Sequence, residues 1–368
     1  MIHFLAPAGE RLFHNYLDVR GRSIAERFEI VAYENLPRRF RGGTYVFSAL
    51  EQLSAPMERL VGHLYTQLSA SEGVRILNRP GRTLRRYELL AELSRLSLNT
   101  HRAVRATEDL SGLRYPVFVR GERTHDGALS PLLHNAREVE AWIGRLVVVG
   151  RKVDELLVME FCDTAGANGI YRKYAAFIIG GQILPRSLDR GRDWMLKRQG
   201  TEYQHEALAE EWEYVQTNPH ERELREIFAI AGTGYGRIDY SLQDGRIRTW
   251  EINLHPTIGR GREGSKHPAP AEFRDTHART KDYIHERLRE AWVNIDLPGD
   301  RELDVRLDPA LVTAAVAAPQ PGYRSPVTAA VRRALRPIKP LLLRHGAGVF
   351  RRLGGWMRRP PRQDDGGP

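Results

Sequence analysis

One cysteine, Cys162, is all that the 368 residues contain. No intramolecular disulfide can form, and zinc sites built from several thiolates are excluded. So little cysteine suits a reducing compartment. No run approaches the roughly 18–20 apolar residues that a membrane span needs. The N-terminus, MIHFLAPAGERLFHNYL, lacks the basic start and small-residue cleavage site of a secretory leader. The expectation is a folded, cytoplasmic protein. Several chemical signatures are also missing: G-x-x-x-x-G-K-[ST], a G-x-G-x-x-G after the first strand, the G-x-S-x-G elbow, and H-E-x-x-H among the 13 histidines. Acids are absent from Pro309 to Gln363, where eleven Lys and Arg residues lie, and only Asp364 and Asp365 follow. The first 308 residues therefore hold 45 of the 56 basic and 44 of the 46 acidic residues. The formal charge of +10 belongs to the end of the chain, and nucleic-acid binding by the body is not expected.

What is present is enough apolar residues for a core, 41% of the chain, beside 28% charged residues. Length suggests two or three domains. Short buried strands are read at Ile2–Leu5, Phe28–Ala32, Tyr45–Phe47 and Val74–Leu77. A helix over Ser54–Leu68 has Ser54 as cap and Pro56 in its first turn. Apolar residues at three-to-four spacing mark a second helix over Thr83–Leu96. Strands alternating with helices predict a parallel, Rossmann-like α/β layer.

From about Thr100 the pattern becomes α+β with antiparallel pairs. Strands are expected at Tyr115–Arg120, Leu156–Phe161, Tyr171–Ile179, Gln182–Leu184, Arg237–Leu242 and Arg246–Asn253. Gly180-Gly181 and Gln243-Asp244-Gly245 mark two hairpins. Helices are expected at 139–149, running toward a strand, and at 207–217, 222–231 and 275–293. The division is residues 1–99, 100–308, and a basic Pro/Arg-rich tail or linker over 309–368.

The 236–256 hairpin carries the most chemistry. Period-two geometry puts Glu251 and Asn253 on one face. If the register sets Asp239 opposite them, three oxygen donors suited to Mg²⁺ converge. A hairpin with a solvated polar face has the same spacing. Glu160 and Asp163 end an apolar strand, either as an ordinary strand end or as groups offered to a purine and a ribose. Lys173 enters the next strand, as an edge residue or as a cation aimed at phosphate. Arg120 precedes a loop with two glycines and could fork onto phosphate oxygens. Cys162 reads as a packed residue.

In this order the segments resemble the ATP-grasp superfamily: Arg-Ile-Leu-Asn-Arg-Pro (75–80), the following helix, Tyr-Pro-Val-Phe-Val-Arg (115–120), Glu160-Phe161-Cys162-Asp163, Arg172-Lys173, Arg-Ile-Asp (237–239) and Glu-Ile-Asn (251–253). The resemblance spans residues 70–262. It implies an N-terminal Rossmann-like α/β layer followed by two α+β ATP-grasp lobes. It also implies ATP with Mg²⁺ or Mn²⁺, the metal held by Asp239, Glu251 and Asn253. Lys173 and Arg120 would meet phosphate, Glu160, Phe161 and Cys162 adenine, and Asp163 ribose. Arg120 stands where the family has lysine, and Arg86 stands near a second such position.

The implied activity is ATP-dependent ligation of a small-molecule or peptide carboxylate to an amine through an acylphosphate. A kinase on the same scaffold, or a nucleotide-binding protein without turnover, is the alternative. Arg237 and Arg260 are the candidate catalytic residues, and Arg186, Trp194, Lys197, His255 and Arg262 are further substrate-pocket candidates. In the tail, Phe350, Leu353, Trp356 and Met357 alternate with Arg351, Arg352, Arg358 and Arg359. Such a segment could lie on an anionic membrane, whereas prolines 337, 340, 360 and 361 favour a solvated basic tail.

Overall fold

A computed structural model describes residues 1–124, 127–196, 204–259 and 270–318. The tail from residue 319 onward, with its proposed membrane-facing segment, lies outside these residues. The described chain forms two compact units. One joins Met1–Thr100 to the residues from Cys162 onward, and the other is His101–Phe161. The chain leaves the first unit after Thr100 and returns to it at Cys162.

The first unit opens with β1 (Ile2–Ala6), α1 (Leu12–Val19), β2 (Phe28–Ala32), β3 (Phe40–Arg41), β4 (Gly43–Phe47), α2 (Ala55–Ser69), β5 (Val74–Leu77) and α3 (Arg86–Arg95). Four of these strands form a wholly parallel sheet in the order β2-β1-β4-β5, as the strand–helix alternation predicts. β1 and β4 are buried along their whole length, which is why they read as continuous apolar runs. Ser54 caps α2 by accepting the Met57 N–H at 3.4 Å, and Met57, Leu60, Val61, Leu64 and Leu68 form its buried stripe.

Two local findings differ from the sequence reading. α3 starts three residues later than its apolar spacing suggests. Thr83 donates its hydroxyl to Gly232 O at 2.9 Å, and the Leu84 N–H is bonded to Ala231 O at 2.8 Å, so these residues are tied to another segment rather than to a first helical turn. α1, not anticipated, buries Phe13, Tyr16 and Leu17.

The second unit contains β6 (Ala103–Arg105), β7 (Val117–Gly121), α4 (Ala136–Val148) and β8 (Leu156–Glu160). Its antiparallel sheet has the order β6-β8-β7. Val117, Val119, Val139, Leu146 and Val158 belong to a core of its own.

Back in the first unit come β9 (Tyr171–Ile179), β10 (Gln182–Gly191), α5 (His205–Thr217), α6 (Glu221–Ala231), β11 (Tyr235–Gln243), β12 (Arg246–Asn253), α7 (Arg274–Ile295), β13 (Glu302–Leu303) and α8 (Pro309–Ala317). The sheet is antiparallel, β10-β9-β11-β12. Both expected hairpins form. Gly180 and Gly181 have φ of +59° and +90°, and Asp244 and Gly245 have +53° and +71°, as a two-residue turn matching strand twist requires. Trp292 of α7 packs its ring against Phe4, Phe13, Phe28 and Tyr235, with centroids 5.3–6.4 Å apart.

α8 corrects the reading of 309–368 as tail or linker throughout. Asp308 accepts the Ala310 N–H at 2.8 Å, Pro309 occupies the first turn, and Ala315 is fully buried on the core that includes α2.

Candidate functional site

In an antiparallel sheet, directly opposed residues share a face. Asp239 lies opposite Ala175 on one side and Glu251 on the other, and Ala175 lies opposite Ser187. One step along, Arg237 is flanked by Phe177 and Asn253. One step the other way, Lys173 faces Asp189. Lys173, Arg237, Asp239, Glu251 and Asn253 therefore share one face of this sheet.

A β-bulge creates this arrangement. From the Asp244-Gly245 turn the pairing runs Gln243 with Arg246 to Tyr240 with Thr249, then shifts so that Asp239 meets Glu251. Trp250 is the extra residue. Without it, Asp239 would face position 250, and Glu251 and Asn253 would turn to the opposite face.

Each donor on this face has a partner. Arg237 donates to Asp239 Oδ1 and Oδ2 at 2.8 and 3.3 Å. Burial works against the Arg237 charge, but Asp239, then Glu251 and Asp189, hold its pKa above the ordinary value. Glu251 forms a buried ion pair with Arg86. Asn253 Oδ1 accepts the His255 N–H at 2.8 Å. The His255 ring is fixed between Ser48 Oγ, 2.8 Å from Nδ1, and Glu10 Oε1, 3.4 Å from Nε2. Burial pushes the Glu10 carboxyl up, yet its bonds with His255, the Phe13 N–H and His14 bring it down to about 2. Lys173 Nζ lies 3.4 Å from Asp189 Oδ2.

The face borders a cavity of about 240 Å³, lined by Lys173, Arg186, Asp189, Arg190, Arg237 and Asp239, with Leu208 and Glu211 of α5 and His277 and Lys281 of α7 among the other lining residues. The donor set suits a hard divalent cation: two carboxylates and an amide oxygen, with room for phosphate oxygens and water. Among the described residues no three His, Cys, Asp or Glu side chains cluster as metal ligands. The third protein donor would have to be the Asn253 amide, and a bound cation would compete with the two arginines.

The remaining sequence candidates lie elsewhere. Arg120 is buried on β7, opposite Leu157. Glu160 is 1% exposed and held by the guanidinium groups and backbone N–H groups of Arg102 and Arg114, at 2.8–3.3 Å. Burial raises its pKa, but Arg114 and Arg102 bring it down to about 2. The Glu160 and Phe161 N–H groups donate to Arg102 O and Pro116 O, both at 2.9 Å. These three candidates belong to the second unit.

In the first unit, Cys162 is buried with its Sγ 3.6 Å from Thr100 Oγ1. Asp163 is exposed and accepts the Ala165 N–H at 3.0 Å. Trp194, just after β10, is half-buried. Lys197, Arg260 and Arg262 lie outside the described residues. The sequence reading missed Asp189, which period-two alternation places on the Ser187 face, and His277 and Lys281, one helical turn apart on α7. It also missed Glu10 and Ser48, because their tie to His255 spans more than 200 residues and leaves no local pattern.

No family model matches the sequence, and no curated protein does. Solved structures of low identity do match. D-alanine–D-alanine ligase from Bacillus anthracis is 12% identical with a TM-score of 0.41, over 78% of this chain and 98% of that one. A RimK domain ATP-grasp protein from Sphaerobacter thermophilus is 15% identical with a TM-score of 0.43, over 77% and 98%. The ATP-grasp ligase PsnB, complexed with a minimal precursor, is 12% identical with a TM-score of 0.45, over 80% and 98%.

Proposed function

We propose that the protein is an ATP-dependent ligase that joins a carboxylate to an amine through an acylphosphate. The observation that carries this reading is the bulge-set register that gathers Arg237, Asp239, Glu251 and Asn253 on the face that also bears Lys173. The order of motifs in the sequence supports it.

Asp239, Glu251 and Asn253 would hold Mg²⁺, which when bound neutralises phosphate charge. Arg237, kept protonated by its acidic neighbours, orients the carboxylate that attacks the terminal phosphorus. Lys173 steadies a phosphate oxygen, exchanging part of its contact with Asp189. Carboxylate oxygen forms the new bond to phosphorus as ADP leaves. The amine then attacks the acyl carbon, phosphate departs, and the amine loses a proton. Positioning and charge carry this chemistry, so no protein nucleophile is required.

Nucleotide binding without turnover is the competing reading with an observation behind it, since Asp239 and Glu251 are each engaged by an arginine. Incubation of the full chain with ATP, Mg²⁺ and mixed carboxylates and amines separates the readings. ADP release that depends on an added amine is the ligase result. ADP with a phosphorylated hydroxyl product indicates a kinase, and tight ATP binding without any product indicates a binding protein.

A further inference from the structure

The end of β12 reaches past its own sheet to the parallel one. In the order β2-β1-β4-β5 the chain leaves β1 toward one edge and β4 toward the other, so the β1/β4 pair is the topological switch point. Beyond the carboxyl ends of two such strands an open α/β sheet has a crevice in which ligands bind. Here Glu10, in the loop after β1, and Ser48, directly after β4, hold His255 of the same chain. Ser48 Oγ lies 2.8 Å from His255 Nδ1, and Glu10 Oε1 lies 3.4 Å from Nε2. Both anchors are buried and themselves fixed. Ser48 donates its N–H to Leu5 O at 3.0 Å, and Glu10 accepts the Phe13 and His14 N–H groups at 2.7 and 3.3 Å at the start of α1. A backbone bond from the Ala49 N–H to Leu254 O, at 3.1 Å, ties the same two loops together.

Ionised Glu10 can accept but not donate, so the imidazole presents Nε2–H to it and leaves Nδ1 to Ser48. A ring bonded at both nitrogens has one orientation, and the backbone that carries it is set with it. The His255 N–H donates to Asn253 Oδ1 at 2.8 Å. An asparagine bonded to the backbone two residues on forms a closed turn, which decides where its amide oxygen lies. Asn253 is the uncharged donor of the proposed metal set, so its contribution depends on placement rather than on charge.

We propose that His255 is a positioning residue: Glu10 and Ser48 hold it at the switch point, and through its N–H it holds Asn253 in the orientation a divalent cation needs. The inference rests on the reading of Asn253 as a metal donor. It makes the parallel layer a support of the metal site, although neither Glu10 nor Ser48 would touch the cation.

Mn²⁺ affinity of the full chain with ADP, measured by electron paramagnetic resonance, is one readout. The side-chain NH₂ signals of Asn253 in NMR spectra, identified by their loss in Asn253→Asp, are the other. Removing a contact that orients a metal ligand costs roughly 10–100-fold in metal affinity. His255→Ala should therefore weaken Mn²⁺ binding about tenfold or more and shift the Asn253 signals, with ADP affinity in EDTA unchanged. Ser48→Ala, which removes one hydroxyl and keeps the ring, should do both to a smaller extent. His255→Gln carries an acceptor for Ser48 and a donor for Glu10, and should return Mn²⁺ affinity to within about threefold of the parent. In an Asn253→Ala background His255→Ala should add nothing, because it acts through Asn253. Unchanged Asn253 signals in His255→Ala and Ser48→Ala overturn the proposal, as does a loss of Mn²⁺ affinity that adds to that of Asn253→Ala. A parent chain that binds no Mn²⁺ counts against the metal reading alone, because the Asn253 signals still decide whether His255 orients this side chain.

Discussion

Glu160, the last residue of β8, and Glu251, two residues before the end of β12, are both largely buried and both meet arginine, yet they are placed for different work. Glu160, in the second unit, is gripped by two guanidinium groups and two backbone N–H groups, so its acceptor positions are filled within the fold. Glu251, in the first unit, pairs with Arg86, lies opposite Asp239, and shares a face with cavity-lining residues. A carboxylate satisfied from all sides locks structure. One on a face bordering a cavity is placed where a ligand can reach that face.

The contrast is broken most sharply by exchanging carboxylate for amide. Glu251→Gln should lower ADP formation on the order of a hundredfold or more while leaving the melting temperature nearly unchanged, because a charged donor is lost at the reacting site. Glu160→Ala should do the reverse. It strands two arginines that are partly exposed, so the cost is about 2 kcal/mol, read as a lower denaturant midpoint. If Glu160→Ala keeps full stability, the structural role assigned to it is wrong.

At the phosphate end, Lys173→Ala should weaken ATP binding about tenfold, measured by calorimetry. Arg120→Lys should retain activity and Arg120→Ala should not. Equal activity in all three forms would make Arg120 a structural residue only.

Acid sharpens the comparison further. Glu160 and Glu10 each have a carboxyl brought from 4.5 down to about 2 in the folded chain. A depressed folded pKa adds stability above pH 4.5 that is lost as pH falls toward 2. Melting temperature should therefore drop across that window, and Glu160→Gln should flatten the drop in part, leaving the Glu10 share. The smallest effects are at the helix caps: Ser54→Ala on α2 and Asn135→Ala on α4 should each cost about 1 kcal/mol by denaturant titration.

What could be read from the chain beforehand was whatever is local. Gly180-Gly181 and Asp244-Gly245 announce their turns because both positions need positive φ. Ser54 and Pro56 announce α2. The Asp239, Glu251 and Asn253 trio was legible as residue types, but not the bulge at Trp250 that turns them to one side, since an inserted residue carries no signature of its own. Glu160 looked like a strand end because its partners Arg102 and Arg114 are 58 and 46 residues away. α8 was missed because Pro309–Ala317 is apolar nearly all round and lacks a helical stripe, although Asp308-Pro309 repeats the start signal of α2.

The central claim is that one face, set by that bulge, holds a divalent cation together with nucleotide. Calorimetry of ATP binding with Mg²⁺ and with EDTA, on the parent chain and Asp239→Asn, tests it directly. The account predicts that the parent binds ATP at least tenfold tighter with Mg²⁺ and that Asp239→Asn loses this gain. Equal affinity with and without Mg²⁺, or an undiminished gain in Asp239→Asn, would contradict it.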